Sequence, residues 1–182
     1  MPQQTDVISS EIAAKTGDDG AATSAVHDPL VMPQSSQMEL IELLFFAYRD
    51  FIHEPDSILK RDNFGRTHHR ILHFVNRHHG MRVAELLEIL KITKQSMAPS
   101  LRQLIDKGYI TQEIGPEDRR QRLLYPTARG RELMLALCEP QSRRMQQALS
   151  KLENGDRERV LRFLLAVVSE EDQQQVRDLT ER

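Results

Sequence analysis

Residues 82–127 constrain the fold of this chain most, because two helical patterns and two strand patterns follow one another there in close succession. Four apolar residues fall on one face of the first helix: Val83, Leu86, Leu87 and Leu90. Thr93 is a favourable N-cap for a second helix, and Gly108 suits the left-handed residue that ends one. The apolar face of this second helix comprises Met97, Leu101, Leu104 and Ile105. Two short helices joined by a tight turn form a helix-turn-helix pattern, whose second helix enters a DNA major groove.

A strand, a turn and a returning strand follow the second helix. Residues 109–114 and 122–125 have strand character, and Gly115-Pro116 turns the chain between them. The tip at 117–122 carries three arginines. A basic hairpin tip beside a recognition helix suits contact with phosphates or insertion into a narrow minor groove. The pattern as a whole predicts a winged helix, in a mostly α (α+β) fold.

The charge is distributed unevenly along the chain. The formal net charge is only −2, but residues 91–131 have an excess of basic side chains. The basic residues there are Lys91, Lys94, Arg102, Lys107, Arg119, Arg120, Arg122, Arg129 and Arg131; the acidic ones are Asp106, Glu113, Glu117 and Asp118. A local basic region is what DNA binding requires.

Other classes of protein find little support in the sequence. It contains no glycine-rich phosphate loop, nucleophile elbow or metalloprotease motif, so we expect no enzyme and no cofactor. A single cysteine excludes an intrachain disulfide framework. The lack of a long apolar run or a signal-peptide pattern predicts a cytoplasmic protein without membrane contact. The main rival is a winged helix that binds another protein, and the three arginines of the tip argue against it.

The chain resembles the MarR family of bacterial transcriptional regulators. The resemblance extends less specifically over about residues 38–180, and its motifs are Val83-x-x-Leu86-Leu87, Ile92-Thr93-Lys94-Gln95-Ser96, Leu104-x-x-x-Gly108-Tyr109-Ile110, Asp118-Arg119-Arg120 and Pro126-Thr127-x-x-Gly130. It implies a homodimer that binds double-stranded DNA at a pseudo-palindromic promoter site. Repression is then the default expectation, and release by a small aromatic or anionic ligand is a further one.

The remaining elements follow from composition and periodicity. Residues 1–37 are predicted to be a disordered tail. A helix apolar nearly all round is predicted over 38–53, a connection with one helical turn at most over 54–64, and another helix over 65–79. A long helix over 127–152, kinked or broken at Pro140, and a last helix over 156–180 are also predicted. By the resemblance, 38–53 and 127–180 form the dimer interface of a domain spanning 38–180, with 65–126 as its DNA-binding core.

Two groups of side chains are candidates for DNA contact. Those of the recognition helix are Thr93, Lys94, Gln95, Ser96, Ser100, Arg102 and Gln103, for which a merely solvated face is the alternative. Pro99 departs from the family pattern: either the helix starts late enough to place it in the first turn, or the helix bends there. The resemblance implies that the wing arginine Arg120 enters the minor groove and is oriented by Asp118. It also implies that Arg119 and Arg122 contact phosphates, unless one of them forms a surface ion pair.

Six of the seven histidines lie between His53 and His79. His69 and His73 have the i, i+4 spacing that can bind a metal, but no second histidine pair follows in 127–152, so zinc sensing is the less favoured interpretation. By the resemblance, Arg66, His69, Arg70 and His73 line a cleft for an anionic ligand; a plain surface role is the alternative. An oxidant-sensing role for Cys138 is also less favoured, because a helix interior gives no evident lowering of the thiol pKa.

Overall fold

The computed structural model describes residues 36–153 and 155–181, and this part of the chain forms seven α-helices and three short strands. In chain order they are α1 (Ser36–Leu59), α2 (Arg66–Arg77), β1 (Met81–Arg82), α3 (Val83–Leu90), α4 (Lys94–Asp106), β2 (Ile110–Ile114), β3 (Arg122–Pro126), α5 (Ala128–Leu149), α6 (Asp156–Val167) and α7 (Glu170–Thr180), with a 3-10 turn at Lys60–Asp62. The predicted mostly α winged helix is confirmed. The predicted tail at 1–37 lies outside the described residues, except that Ser36 and Gln37 already belong to α1.

The helix-turn-helix has the ends that the sequence predicts. Lys91 ends α3 in the left-handed conformation at φ 50°, and two residues later the Thr93 side chain accepts a hydrogen bond from the Ser96 N–H at 3.2 Å. Gly108 ends the second helix at φ +72°, where a side chain would be strained. Both helices contribute fully buried side chains to the core, including Leu86, Leu90, Met97 and Leu104.

The wing is a small antiparallel sheet in the order β1-β3-β2. Within it β2 and β3 pair from Ile110↔Pro126 to Ile114↔Arg122, and β1 adds Met81↔Leu124 and Arg82↔Leu123. The sequence did not reveal β1, because two residues are too short for a strand pattern. Leu124 in the central strand is fully buried and anchors the sheet to the helices.

The start of α5 is fixed against the start of the wing. The Thr127 hydroxyl donates to the carbonyl oxygen of Gly108 at 2.7 Å, and also accepts the Gly130 N–H at 3.0 Å as an N-cap. A Cβ on Gly130 would overlap the Tyr109 carbonyl oxygen. The close approach therefore requires glycine, which gives the Pro126-Thr127-x-x-Gly130 motif a steric cause.

The prediction that α1 ends near residue 53 was wrong. The helix continues through Pro55 to Leu59, although proline costs about 3 kcal/mol in a helix interior. Both Pro55 and Leu59 are fully buried. Burial of this last turn therefore offsets the local cost of the proline, a tertiary effect that the local sequence does not show.

The C-terminal helices also differ from expectation. The break considered at Pro140 is absent, and α5 continues through this buried residue. The single helix predicted over 156–180 is two helices, because Val168 and Ser169 have extended ψ angles of 140° and 137°. Ser169 followed by three acidic residues is a helix start that the apolar periodicity obscured.

The exposed face of α1 is strongly apolar. Seven large side chains there are between 45% and 69% exposed: Leu40, Ile41, Leu43, Leu44, Phe45, Phe46 and Tyr48. A second exposed apolar group lies on α6 and comprises Leu161, Phe163, Leu164 and Val167. Neither α1 nor any other described helix combines the length and apolarity needed to cross a membrane.

Candidate nucleic-acid interface

A groove of about 600 Å³ lies between the recognition helix α4 and the wing. Val83, Leu87 and Met97 are among the apolar residues that line it. The basic residues that line it are Arg82, Lys94, Arg120 and Arg122. No acidic residue of the described chain lines this groove. The two predicted DNA-contacting elements thus lie on opposite sides of one basic groove.

The first turn of α4 presents its side chains to solvent. Thr93, Lys94, Gln95 and Ser96 are all exposed, at the end of the helix where backbone N–H groups and the positive end of the dipole lie. The Thr93 and Ser96 hydroxyls are 2.8 Å apart, so both take part in the cap. Lys94 lines the groove toward the wing, whereas Gln95 and Arg102 line an adjoining surface of the helix; Ala98 lines both.

Pro99 occupies the sixth position of α4, because the helix begins at Lys94. The alternative that placed it in the first turn is therefore wrong. A proline at this position cannot donate to the carbonyl of Gln95, so the recognition helix lacks one hydrogen bond of its ladder. Ser100 beside it is half-buried.

Gln103 is placed differently from the other predicted contacts. Its side-chain oxygen lies 2.8 Å from Nε2 of His68 on α2, and His68 is only 8% exposed. The amide oxygen of Gln103 is therefore engaged by the protein interior. No sequence pattern signals this contact, because its two residues are 35 positions apart.

The tip of the wing is ordered by its own backbone. Oδ1 of Asp118 accepts the Arg120 N–H at 2.8 Å, and the Asp118 carbonyl accepts the Gln121 N–H at 3.0 Å. Asp118 therefore orients Arg120 through the main chain. A Cβ on Gly115 would lie 2.9 Å from the Asp118 carbonyl oxygen, so this turn also needs its glycine.

The wing arginines have no ion pair within the described part of the chain. The alternative that Arg119 or Arg122 pairs with a nearby carboxylate is thus not supported. Arg122 instead donates to the carbonyl oxygens of Arg119 and Gln121, at 2.6 and 3.1 Å. All three guanidinium groups are exposed.

Several basic residues of 91–131 have structural roles. Lys107, Arg129 and Arg131 donate to the carbonyl oxygens of Asp62, Lys107 and Pro126, at 2.5, 2.9 and 3.0 Å. Lys91 pairs with Asp172 of α7 at 2.8 Å, which raises the pKa of the lysine. Charge counting along the sequence therefore overstated the surface available to DNA. It also did not include Arg82, which lies in the groove because of β1 and pairs with Glu85 at 2.6 Å.

The four residues predicted to bind a ligand line one cavity. Its volume is about 350 Å³, and it lies between α1, α2 and α5. The lining residues are Tyr48, Phe51, Ile52, Asp56, Arg66, His69, Arg70, His73, Phe74 and Gln141. Burial lowers the pKa of both His69 and His73. The nearby His73 ring lowers the pKa of His69 further, and the charge of Arg77 lowers that of His73.

Both arginines of this cavity already have protein partners. Arg66 pairs with Asp56 at 3.1 Å, and Arg70 donates to the Leu90 carbonyl oxygen at 2.8 Å. Within the described residues no group of three histidine, cysteine or carboxylate side chains is arranged to hold a metal ion. Cys138 is half-buried against the core, and burial raises the pKa of its thiol. These contacts agree with a packing role for the cysteine.

Comparison with known proteins finds similarity to one family of regulators. A MarR family model matches residues 62–121. The chain is 45% identical over 108 residues to the HTH-type transcriptional regulator PetP of Rhodobacter capsulatus, a match that covers 59% of this chain and 65% of that protein. An uncharacterized HTH-type transcriptional regulator of Staphylococcus aureus Mu50 is 28% identical over 113 residues, covering 62% of this chain and 77% of that protein.

Solved structures agree on the fold. The crystal structure of MarR aligns with a TM-score of 0.59 at 22% identity, over 83% of this chain and 98% of its own. Streptococcus pneumoniae FabT, solved in complex with DNA, aligns with a TM-score of 0.63 at 18% identity, over 79% and 99%. The matched relatives carry the names of transcriptional regulators. The chain is thus similar to the MarR family in sequence over residues 62–121, and its fold is that of the winged-helix structures with which it aligns.

Proposed function

We propose that this protein is a sequence-specific, DNA-binding transcriptional regulator, with repression as its default action in the cytoplasm. The observation that carries the proposal is the basic groove between α4 and the wing, whose lining in the described chain includes no carboxylate. The phosphate backbone of DNA supplies the complementary charge. PetP, similar over 59% of this chain, carries the name of a transcriptional regulator, and FabT was solved with DNA.

In this proposal α4 reads bases and the wing holds the backbone. Lys94 and Gln95 approach base edges from the first turn of the helix, since that end enters the groove. Arg120 enters the minor groove beside it, and Arg119 and Arg122 contact phosphates. Thr93, Ser96, Ser100 and Arg102 complete the proposed contact surface. Gln103 is left out because its amide oxygen is engaged with His68.

The proposal includes a homodimer. The apolar faces of α1 and α6 are too extensive for a surface that stays in water, since single monomers rarely expose large contiguous apolar patches. Helices α1 and α5–α7 would form the interface, and residues 65–126 the two reading heads. A two-fold dimer of this kind binds a pseudo-palindromic promoter site, because its heads are related by the same symmetry as the half-sites.

We also propose that a small aromatic anion binds the cavity between α1, α2 and α5. Its walls combine rings from Tyr48, Phe51 and Phe74 with the cations Arg66 and Arg70. Asp56 lies in the same wall and pairs with Arg66, so a ligand carboxylate would share this arginine. This mixture suits a ligand with a flat apolar body and a carboxylate. Such a ligand would release DNA only if it bound the DNA-free conformation more tightly than the bound one.

The experiment starts by selecting duplexes from a randomised library with the full chain. Fluorescence anisotropy then compares the selected duplex with a scrambled one of equal composition, across a series of salt concentrations. We expect tighter binding to the selected duplex and a steep fall in affinity with salt, because phosphate contacts release counterions. Equal and weak binding to both duplexes would overturn the proposed function.

A further inference from the structure

The contact between His68 on α2 and Gln103 on the recognition helix has no place in the DNA interface proposed above. His68 is the one strongly buried polar side chain of the described residues, and both of its ring nitrogens have partners. Nδ1 accepts the backbone N–H of Gly65 at 3.1 Å, so it carries no proton. Nε2 of the neutral ring therefore carries the proton and donates to Gln103 Oε1 at 2.8 Å.

The ring of His68 is held rigidly in this orientation. It stacks on Phe64 with ring centroids 4.6 Å apart and an angle of 17° between the planes. The Phe64 ring is in turn covered by Lys107, whose Nζ lies 4.8 Å from its centroid. Burial is the main cause that lowers the pKa of His68, and the nearby Lys107 charge acts in the same direction. The neutral, donating form of the ring is thus favoured by its surroundings.

The contact lies where the recognition helix lacks internal support. Pro99 removes the hydrogen bond from its own position to the Gln95 carbonyl, and Gln103 follows one turn later on the same side of the helix. A contact from a neighbouring element restrains the direction of a helix more when the helix lacks one of its own hydrogen bonds. The bond from α2 restrains α4 at the turn that follows the weakened one.

We propose that His68 is a positioning residue for DNA recognition: its Nε2–H holds Gln103, and through it fixes the angle at which α4 presents Lys94 and Gln95. The inference rests on the proposed DNA-binding function. It assigns Gln103 to alignment of the recognition helix rather than to direct contact with DNA.

The test compares Gln103→Met with the wild-type protein on the selected and the scrambled duplex. Methionine keeps the length of the side chain and removes the acceptor. A positioning role predicts that the dissociation constant for the selected duplex rises about threefold to tenfold, the range expected for one neutral hydrogen bond, while that for the scrambled duplex is unchanged.

Two outcomes of this comparison would overturn the inference. An unchanged affinity for the selected duplex, with only a lower melting temperature, would make the contact merely structural. An equal loss of affinity for both duplexes would mean that Gln103 touches phosphate. If instead the wild-type protein selects no DNA sequence from the library, that result refutes the proposed function itself and is thereby distinguished from a failure of the inference about His68.

A double-mutant cycle and a spectroscopic measurement complete the test. His68→Phe keeps stacking on Phe64, and His68→Phe/Gln103→Met should lose no more selectivity than Gln103→Met alone, because either change breaks the same bond. Additive losses would contradict the inference. Nitrogen-15 NMR of His68 uses the wild-type protein and so does not depend on a variant that folds. We expect the Nε2–H tautomer in the free and in the DNA-bound protein. A different tautomer or an imidazolium in the complex would refute the proposal.

Discussion

Replacement of Arg120 by alanine is the perturbation with the clearest expected result. The side chain is exposed at the wing tip, and the bond that orders this turn uses its backbone N–H, which alanine retains. We therefore expect the free energy of unfolding to change by less than about 0.5 kcal/mol. The effect should fall on DNA binding instead.

The size of this effect follows from the number of wings. A single arginine interaction with DNA is worth about 1–3 kcal/mol, and a dimer has two such wings. Removal of both side chains from the proposed dimer should cost about 2–6 kcal/mol, which raises the dissociation constant by a factor between roughly 30 and roughly 20,000. The slope of log affinity against log salt should also become shallower, by about 1 for each phosphate that is no longer neutralised.

Anisotropy titration of the selected duplex at several salt concentrations measures both quantities. Arg61→Ala is the control, since it removes the same charge from an exposed site in the Lys60–Asp62 turn, outside the proposed DNA and dimer interfaces. Unchanged affinity of Arg120→Ala at moderate salt would refute the wing assignment. A similar decrease in affinity in both variants would mean that the effect comes from the change in net charge and not from a specific contact of Arg120 with DNA.

Four further predictions concern specificity, packing, assembly and pH. Lys94→Ala and Gln95→Ala should relax the sequence preference in library selection more than they weaken binding to scrambled DNA; a uniform decrease would make both residues phosphate contacts. Gly130→Ala should destabilise the fold by about 3 kcal/mol in urea unfolding, because its Cβ would overlap the Tyr109 carbonyl oxygen, and a wild-type midpoint would contradict the close approach. Phe45→Asp should shift the mass measured by light scattering toward the monomer, and an intact dimer would place the interface elsewhere. Burial lowers the pKa of three α2 histidines below the ordinary 6.5, so just below pH 6.5 the unfolded chain binds more protons than the folded one. The free energy of unfolding should therefore be at its full value above pH 6.5 and decrease below it. A flat profile from about pH 7.5 to about pH 5 would refute this.

The parts of the fold that the sequence predicts correctly depend on local signals. The Thr93 cap, the Gly108 stop and the turn at Gly115-Pro116 each act over a few residues, so their patterns remain readable without tertiary information. The helix-turn-helix and the wing follow from them. Of the predicted DNA contacts, Lys94, Arg120 and Arg122 line one groove, and the four predicted ligand-binding residues line one cavity, because their helices were placed correctly.

The errors arise where tertiary contacts override local preference. Pro55 signals a helix end, yet burial of Leu59 extends α1 beyond it. In the opposite sense, apolar periodicity across Ser169 concealed the boundary between α6 and α7. Gln103 has a polar side chain at the right spacing for DNA contact, and its bond to His68 depends on how α2 crosses α4. The packing of α2 across α4 is a tertiary property that local sequence patterns do not predict.

Hydroxyl-radical footprinting of the wild-type protein on its selected duplex tests the central claim most directly. We expect a bounded and two-fold symmetric protected region. Within it, the minor-groove positions covered by the wings should regain cleavage in Arg120→Ala, while protection of the backbone in the rest of the footprint persists. Uniform weak protection along the duplex, unaltered by Arg120→Ala, would contradict sequence-specific recognition by the helix and the wing together.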